Sequence, residues 1–469
     1  MTPFKSYRHP LLTFSRLKAL RETQRQSSSL DINQSSLVSS DLINKVKQLK
    51  TTGVPIVHHH GYVCDLPINH RFAMKKFHGV MRYLRMDNVI SSKQIIKPDP
   101  VTEDIVKTVH TDDYVDKFFN GKTSVDEQRL TGFVWSEGIV SRCRLETGGT
   151  ILASRLALER GVACSTGGGT HHAFPSYGSG YCLINDMAIT AAQLIKEETI
   201  QKVLIVDLDV HQGDGTAFMF EDCKDIFTFS MHCDKNFPFK KQQSDIDVAL
   251  DDRLEDKEYM EILQSQLPWI LDSFRPDLVI YDAGVDPHIK DELGKLNLSD
   301  QGLFDRDKYV IDLALGKGIP VATVIGGGYQ KDVDALSLRH TIVHRAATKF
   351  FAMSFIMKLG RCEFYIDYFP NFDVDVIVIV KQYLTNVHKI STLLKLPAIF
   401  HIFIIVGLMQ FTTYKIKKKC GLIENNWYVT EKVKPAVIRE TLITVLHSYT
   451  VNPVLPELIT CLNYKIIKT

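Results

Sequence analysis

The 469-residue sequence has nine cysteines and no Cys-x-x-Cys pair. A disulfide scaffold needs denser cysteine, and a zinc ribbon or thioredoxin-type centre needs the paired spacing. Both are excluded, and a reducing compartment is the default. Surplus charge of one sign is missing too, because 56 Lys and Arg face 54 Asp and Glu for a formal +2. Broad nucleic-acid binding or adhesion to an anionic membrane surface needs a basic excess, so no direct nucleic-acid partner is expected. A spanning helix takes roughly 20 mostly apolar residues. The run Leu396–Phe411 is 16 residues long and is broken by Pro397, His401, Gly407 and Gln410, so no membrane anchor is expected. A serine nucleophile elbow, a Walker loop and an internal repeat are all lacking. Gly167-Gly-Gly and Gly326-Gly-Gly lack the G-x-G-x-x-G spacing of a dinucleotide fingerprint.

What is present falls into three parts. Residues 1–50 carry six basic residues and one acid before Leu30, followed by serines from Ser27 to Ser40. Such a segment buries little apolar surface and is expected to be disordered. It also resembles an organelle transit peptide, which keeps a plastid or mitochondrion open beside other compartments. Residues 351–469 lose the glycine-rich turns and clear helix caps, and no function is assigned to them. Residues 51–350 alternate short Val/Ile-rich runs with amphipathic stretches. Strands are expected at Val162–Thr166, Val203–Asp209, Ile226–His232, Leu278–Asp282 and Val321–Ile325. Helices are expected at Glu146–Glu159, Asn185–Glu198, Lys257–Phe274 and Asp300–Lys317. That alternation predicts an α/β domain on a parallel sheet.

A polar or glycine-rich cluster follows each expected strand, at Gly167–His172, Asp207–Gly215, Ser230–His232, Gly284–Asp286 and Gly326–Tyr329. Open parallel sheets bind ligands beyond the carboxyl ends of their strands, so the five clusters are expected to meet at one site. In extended chain, Asp207, Asp209 and His211 share a face. Carboxylate and imidazole together suit Zn²⁺ or a similar divalent ion. Asp286 is the best third ligand, with Asp282 as the alternative and a helix cap as the bland reading. His171 and His172 are candidate acid–base groups, and Asp207 and Asp214 are spare acids able to orient them. Tyr329 can donate to a carbonyl that becomes an oxyanion. Together these parts make a metal-assisted amide hydrolase. His58-His-His60 is read as strand or loop rather than as a metal tract.

Residues 55–345 resemble the zinc-dependent histone deacetylase family, within the wider arginase/deacetylase fold. The likeness is nearest to the class IV members and their bacterial relatives. It is carried by Leu66-Pro-Ile-Asn-His-Arg-Phe72, Gly169-Thr-His-His-Ala-Phe174, Asp207-Leu-Asp-Val-His-Gln-Gly-Asp-Gly-Thr216, Phe229-Ser-Met-His232, Lys235-Asn-Phe-Pro-Phe239 and Gly284-Val-Asp286. The resemblance implies a single open parallel sheet of about eight strands flanked by helices. It implies one Zn²⁺ held by Asp209, His211 and Asp286, with His172 as the proton acceptor, His171 as its partner, Asp207 and Asp214 in support, and Tyr329 polarising the carbonyl. Gly180, Tyr181 and Phe237 or Phe239 would line a tunnel for the lysine stem, Arg71 would sit in an inner channel, and Asp207 and Ser230 would belong to a K⁺ site. The implied substrates are acyl-lysine proteins such as histone tails, with longer fatty acyl groups open. The implied setting is a corepressor complex in the nucleus or cytoplasm. Three other readings stand beside this one: a small-molecule amidohydrolase acting on acetylpolyamines, an inactive corepressor scaffold, and an arginase-like dimetal enzyme.

Overall fold

The computed structural model describes residues 53–349. The expected disordered segment 1–50 and the extension 351–469 lie outside the described residues. Eight strands build one sheet: β1 (Ile56–Val57), β2 (Ile95–Ile96), β3 (Val162–Ser165), β4 (Val203–Asp207), β5 (Ile226–Cys233), β6 (Ile246–Leu250), β7 (Leu278–Asp282) and β8 (Val321–Val324). Their order is β2-β1-β3-β8-β7-β4-β5-β6, and every pairing is parallel.

The central strands read as continuous apolar runs because both of their faces are covered. Period-two alternation divides their side chains between two cores. Leu204 and Val206 of β4 join Tyr259, Leu263, Val310 and Ile311, from the helices Asp256–Phe274 and Asp300–Gly316. Val203 and Ile205 join Ile151, Leu156, Ala188 and Ile189, from the helices Glu137–Arg160 and Asp186–Lys196. No helix among the described residues is long and apolar enough to cross a membrane.

All five expected strands are present, to within two residues at each end. The expected helix at Glu146 begins earlier, at Glu137, where the Ser136 hydroxyl accepts the Ile139 N–H and starts the helix. Two-residue β1 and β2 were not expected, nor was β6. Strands β3, β8, β7, β4 and β5 are consecutive across the sheet. Their carboxyl ends therefore lie along one stretch of its rim, which is where the five polar clusters gather.

Candidate active site

Strand β4 ends at Asp207, two residues before the extended reading placed its end. Beyond it the chain turns on its own aspartates: Asp209 N–H donates to Asp207 Oδ1 at 3.1 Å, and His211 N–H donates to Asp209 Oδ1 at 2.9 Å. Asp209 and His211 converge through these side-chain turns rather than through strand alternation. Asp286 arrives from the loop after β7, and its Oδ1 accepts the Val210 N–H at 2.8 Å.

His211 Nδ1 then lies 3.0 Å from Asp209 Oδ1 and 3.1 Å from Asp286 Oδ2. Two buried carboxylates and one buried imidazole aimed at one point are a donor set suited to a divalent ion. Without the ion, burial opposes the imidazolium, but hydrogen bonds to Asp209 and Asp286 raise the His211 pKa to about 10. Burial, with Asp209 beside it, lifts the Asp286 carboxyl to about 7. Gly327 closes the third side by donating its N–H to Asp209 Oδ2 at 2.7 Å. A side chain at Gly327 would overlap both carboxylates, so only glycine fits there.

The two histidines stand beside this group. His171 Nδ1 is 2.8 Å from Asp207 Oδ2, His172 Nδ1 is 2.7 Å from Asp214 Oδ1, and the two Nε2 atoms are 3.2 Å apart. Their environments push them in opposite directions. Burial disfavours the His171 cation, yet Asp207 and Asp209 overcome it and hold the pKa well above the ordinary value. Burial, together with the neighbouring His171 charge, lowers His172 to about 4 and keeps it neutral.

Tyr329 is packed over the metal group, its ring centroid 6.1 Å from His211 and 5.7 Å from Tyr181. Burial and the charges of Asp209 and Asp286 raise the phenol well above its usual range, so it stays a proton donor. Phe237 meets His172 edge to face at 4.9 Å. Gly180 adopts φ +52, and a side chain there would press on His172 and Phe237. Tyr181, Phe237 and Gly180 thus border the reactive groups, whereas Phe239 is 92% exposed and points outward. Ser230 is the register partner of Asp207, and its hydroxyl is 2.9 Å from His232 Nδ1.

The inner-channel expectation for Arg71 does not hold, because that side chain is exposed in the loop before the helix Lys76–Met86. Two cations among the described residues do lie in the interior here, Lys76 and Arg142, each 2% exposed. Lys76 Nζ reaches Gly326 O at 3.4 Å and Gly328 O at 3.5 Å, and Arg142 pairs with Glu146 at 2.9 Å. Sequence reading also missed Arg306. Its Nη1 donates to Leu208 O at 3.1 Å and Gly284 O at 2.8 Å, tying the loop of Asp209 and His211 to the loop of Asp286. Asp291 was missed as well, and its Oδ2 takes the Tyr329 N–H at 2.6 Å.

Residues 70–344 match the family model described as the histone deacetylase domain. The chain belongs to the histone deacetylase family. An uncharacterized protein of Picosynechococcus is 48% identical over 295 residues, covering 63% of this chain and 98% of that protein. Histone deacetylase 2 of Arabidopsis thaliana is 31% identical, over 56% of this chain and 70% of its own. The crystal structure of an HDAC homolog from Aquifex aeolicus superposes with a TM-score of 0.54 at 25% identity, over 63% of this chain and 84% of that one. The open parallel sheet is this family's fold, and the chain is a deacetylase-family hydrolase.

Proposed function

We propose that the protein is a zinc-dependent hydrolase that removes acyl groups from lysine side chains of proteins such as histones. The observation that carries this reading is the meeting of Tyr329, His172 and the Asp209/His211/Asp286 group inside one aromatic border. An oxyanion donor, a neutral base and a metal-binding set are what amide hydrolysis needs in one place. Zinc suits three N/O ligands with a position left for substrate or water.

A zinc ion held by Asp209, His211 and Asp286 would supply Lewis acidity, polarising the amide carbonyl and acidifying the attacking water. His172, kept neutral by burial and His171, accepts the water proton. Asp214 fixes its ring through Nδ1. His171, fixed by Asp207, supplies positive charge next to the base. The Tyr329 hydroxyl donates to the carbonyl oxygen as negative charge develops there. Collapse of the tetrahedral adduct returns a proton from the histidine pair to the departing lysine amine. Tyr181 and Phe237 offer apolar area to the lysine methylenes, each buried CH₂ contributing about 0.8 kcal/mol. Asp207 and Ser230, register partners on β4 and β5, would hold a K⁺ ion in this reading.

The test is turnover on acetyl- and myristoyl-lysine peptides and on N-acetylpolyamines, with bound metal quantified. Lysine peptides are expected to be cleaved with zinc bound, and His211→Ala is expected to lose both. Turnover confined to the polyamines would reject the protein-lysine substrate. Full activity of His211→Ala would reject the metal role.

A further inference from the structure

One buried carboxylate, Asp282, takes no part in this chemistry. Strands β4 and β7 run side by side with Asp207 and Asp282 as register partners. His171 enters between them from the turn after β3. Its Nδ1 is 2.8 Å from Asp207 Oδ2 and 3.9 Å from Asp282 Oδ2, and donor atoms of all three residues lie within 4.8 Å of one another. Asp207 is satisfied by His171 and by the Asp209 N–H. Asp282 is 0% exposed, and neither of its carboxylate oxygens has a hydrogen-bond partner. A side chain at Gly169 or Gly326 would overlap this carboxylate. Among the described residues its one ion-pair contact is His171.

A buried carboxylate with no donor is unfavourable unless it takes up a proton or a cation compensates it. The cluster repeats the composition of the Asp209/His211/Asp286 group, with one imidazole and two carboxylates, all buried. It also lies on the opposite flank of β4 from Ser230, because β7 and β5 border β4 on different sides.

We propose that His171, Asp207 and Asp282 form a second binding site for a divalent transition-metal ion such as Zn²⁺ or Mn²⁺. Such an ion takes the Nδ1 lone pair of His171, so it replaces the Nδ1–H bond to Asp207. Occupancy of this site removes the Asp207 bond that fixes the His171 ring 3.2 Å from His172. The second ion therefore inhibits turnover. The inhibitory consequence rests on the reaction proposed above, but the occupancy does not.

The experiment is equilibrium dialysis of the metal-stripped full chain against Zn²⁺, with zinc counted by mass spectrometry and turnover followed in parallel. Wild type is expected to bind two ions, the second more weakly, and to lose at least tenfold in rate as the second binds. Asp282→Asn, which keeps shape but removes the charge, is expected to bind one ion and to resist excess zinc. Anomalous diffraction at the zinc edge is expected to show the second ion against His171 Nδ1, a readout that needs no variant to fold. One ion per wild-type chain at saturating zinc, two ions on Asp282→Asn, or a second anomalous peak elsewhere would each overturn the site. Two ions without inhibition would overturn its regulatory role. Two ions with no turnover on any acyl substrate would instead sink the proposed function and leave the site standing.

Discussion

Tyr329 is the residue at which the reading of the reaction is most exposed to test. Its ring is packed and its backbone N–H is held by Asp291, so replacement by Phe removes one hydroxyl and little else. Tyr329→Phe is expected to lower kcat by roughly 10²–10³-fold, with zinc content unchanged by mass spectrometry. Arg306 acts at a distance. Its Nε also donates to the buried Asp307 Oδ1 at 2.9 Å, so changing it to Met strands that carboxylate, and breaking a buried pair on one side costs about 3–5 kcal/mol. The double change Arg306→Met with Asp307→Leu is expected to recover much of that stability in urea melts. It is not expected to recover zinc affinity, because Leu208 O and Gly284 O remain untied. The loss expected in chelator competition is roughly 10–100-fold. Lys76 gives a pH signature. Burial lowers its pKa from 10.5 to about 8, with Asp286 partly opposing. Between those values the unfolded chain binds the extra proton, so stability rises with pH through that window. Relative to Lys76→Met, wild type is expected to gain up to about 3 kcal/mol from pH 8 to 10.5, read from denaturant midpoints. A flat difference would show that the folded chain holds the Lys76 proton as tightly as the unfolded chain does, so that burial does not lower its pKa.

Among the elements, legibility in the sequence followed burial. Strands β3, β4, β7 and β8 are buried at every position, and their unbroken apolar runs announce them. β6 at the sheet edge alternates partly buried and exposed residues with only Leu250 fully covered, and β1 and β2 are too short to show a period. The glycine and histidine clusters were legible as a site because each follows a strand that was itself legible. Arg71 was misplaced because a basic residue in a loop motif says nothing about depth. The helix carried a better signal. Lys76 shares the stripe of Val80 and Leu84 at four-residue spacing, and all three are buried. Arg306 was hidden for a different reason, since it ties the two site loops through backbone carbonyls, which leave no mark on a residue pattern. The His58–His60 tract is structural, with His58 bonded to Thr166 Oγ1 at 2.7 Å and the His59 side chain accepting the Gly61 N–H. At the start of the helix Glu137–Arg160, Ser136→Ala is expected to cost about 1 kcal/mol, measurable as a lower urea midpoint with turnover retained at native temperature.

At the scale of the whole molecule, the described sheet and helices account for the family match, which spans residues 70–344. A match of 295 residues, 63% of this chain, covers 98% of the Picosynechococcus protein. A chain cut to residues 53–349 is accordingly expected to keep its fold, together with the zinc and the lysine-peptide turnover proposed above. Loss of all three on trimming would show that the segments outside this core are required for it.

Gly327 joins the ion's seat to the proton donor two residues later, through a single amide bonded to Asp209 Oδ2. In the proposed reaction, metal identity and phenol placement are consequently one mechanical variable. Exchanging zinc for a cation of larger radius would push on that amide and tilt the ring that grips the substrate carbonyl. Cadmium-loaded protein should therefore falter in the bond-breaking step even where peptide still docks.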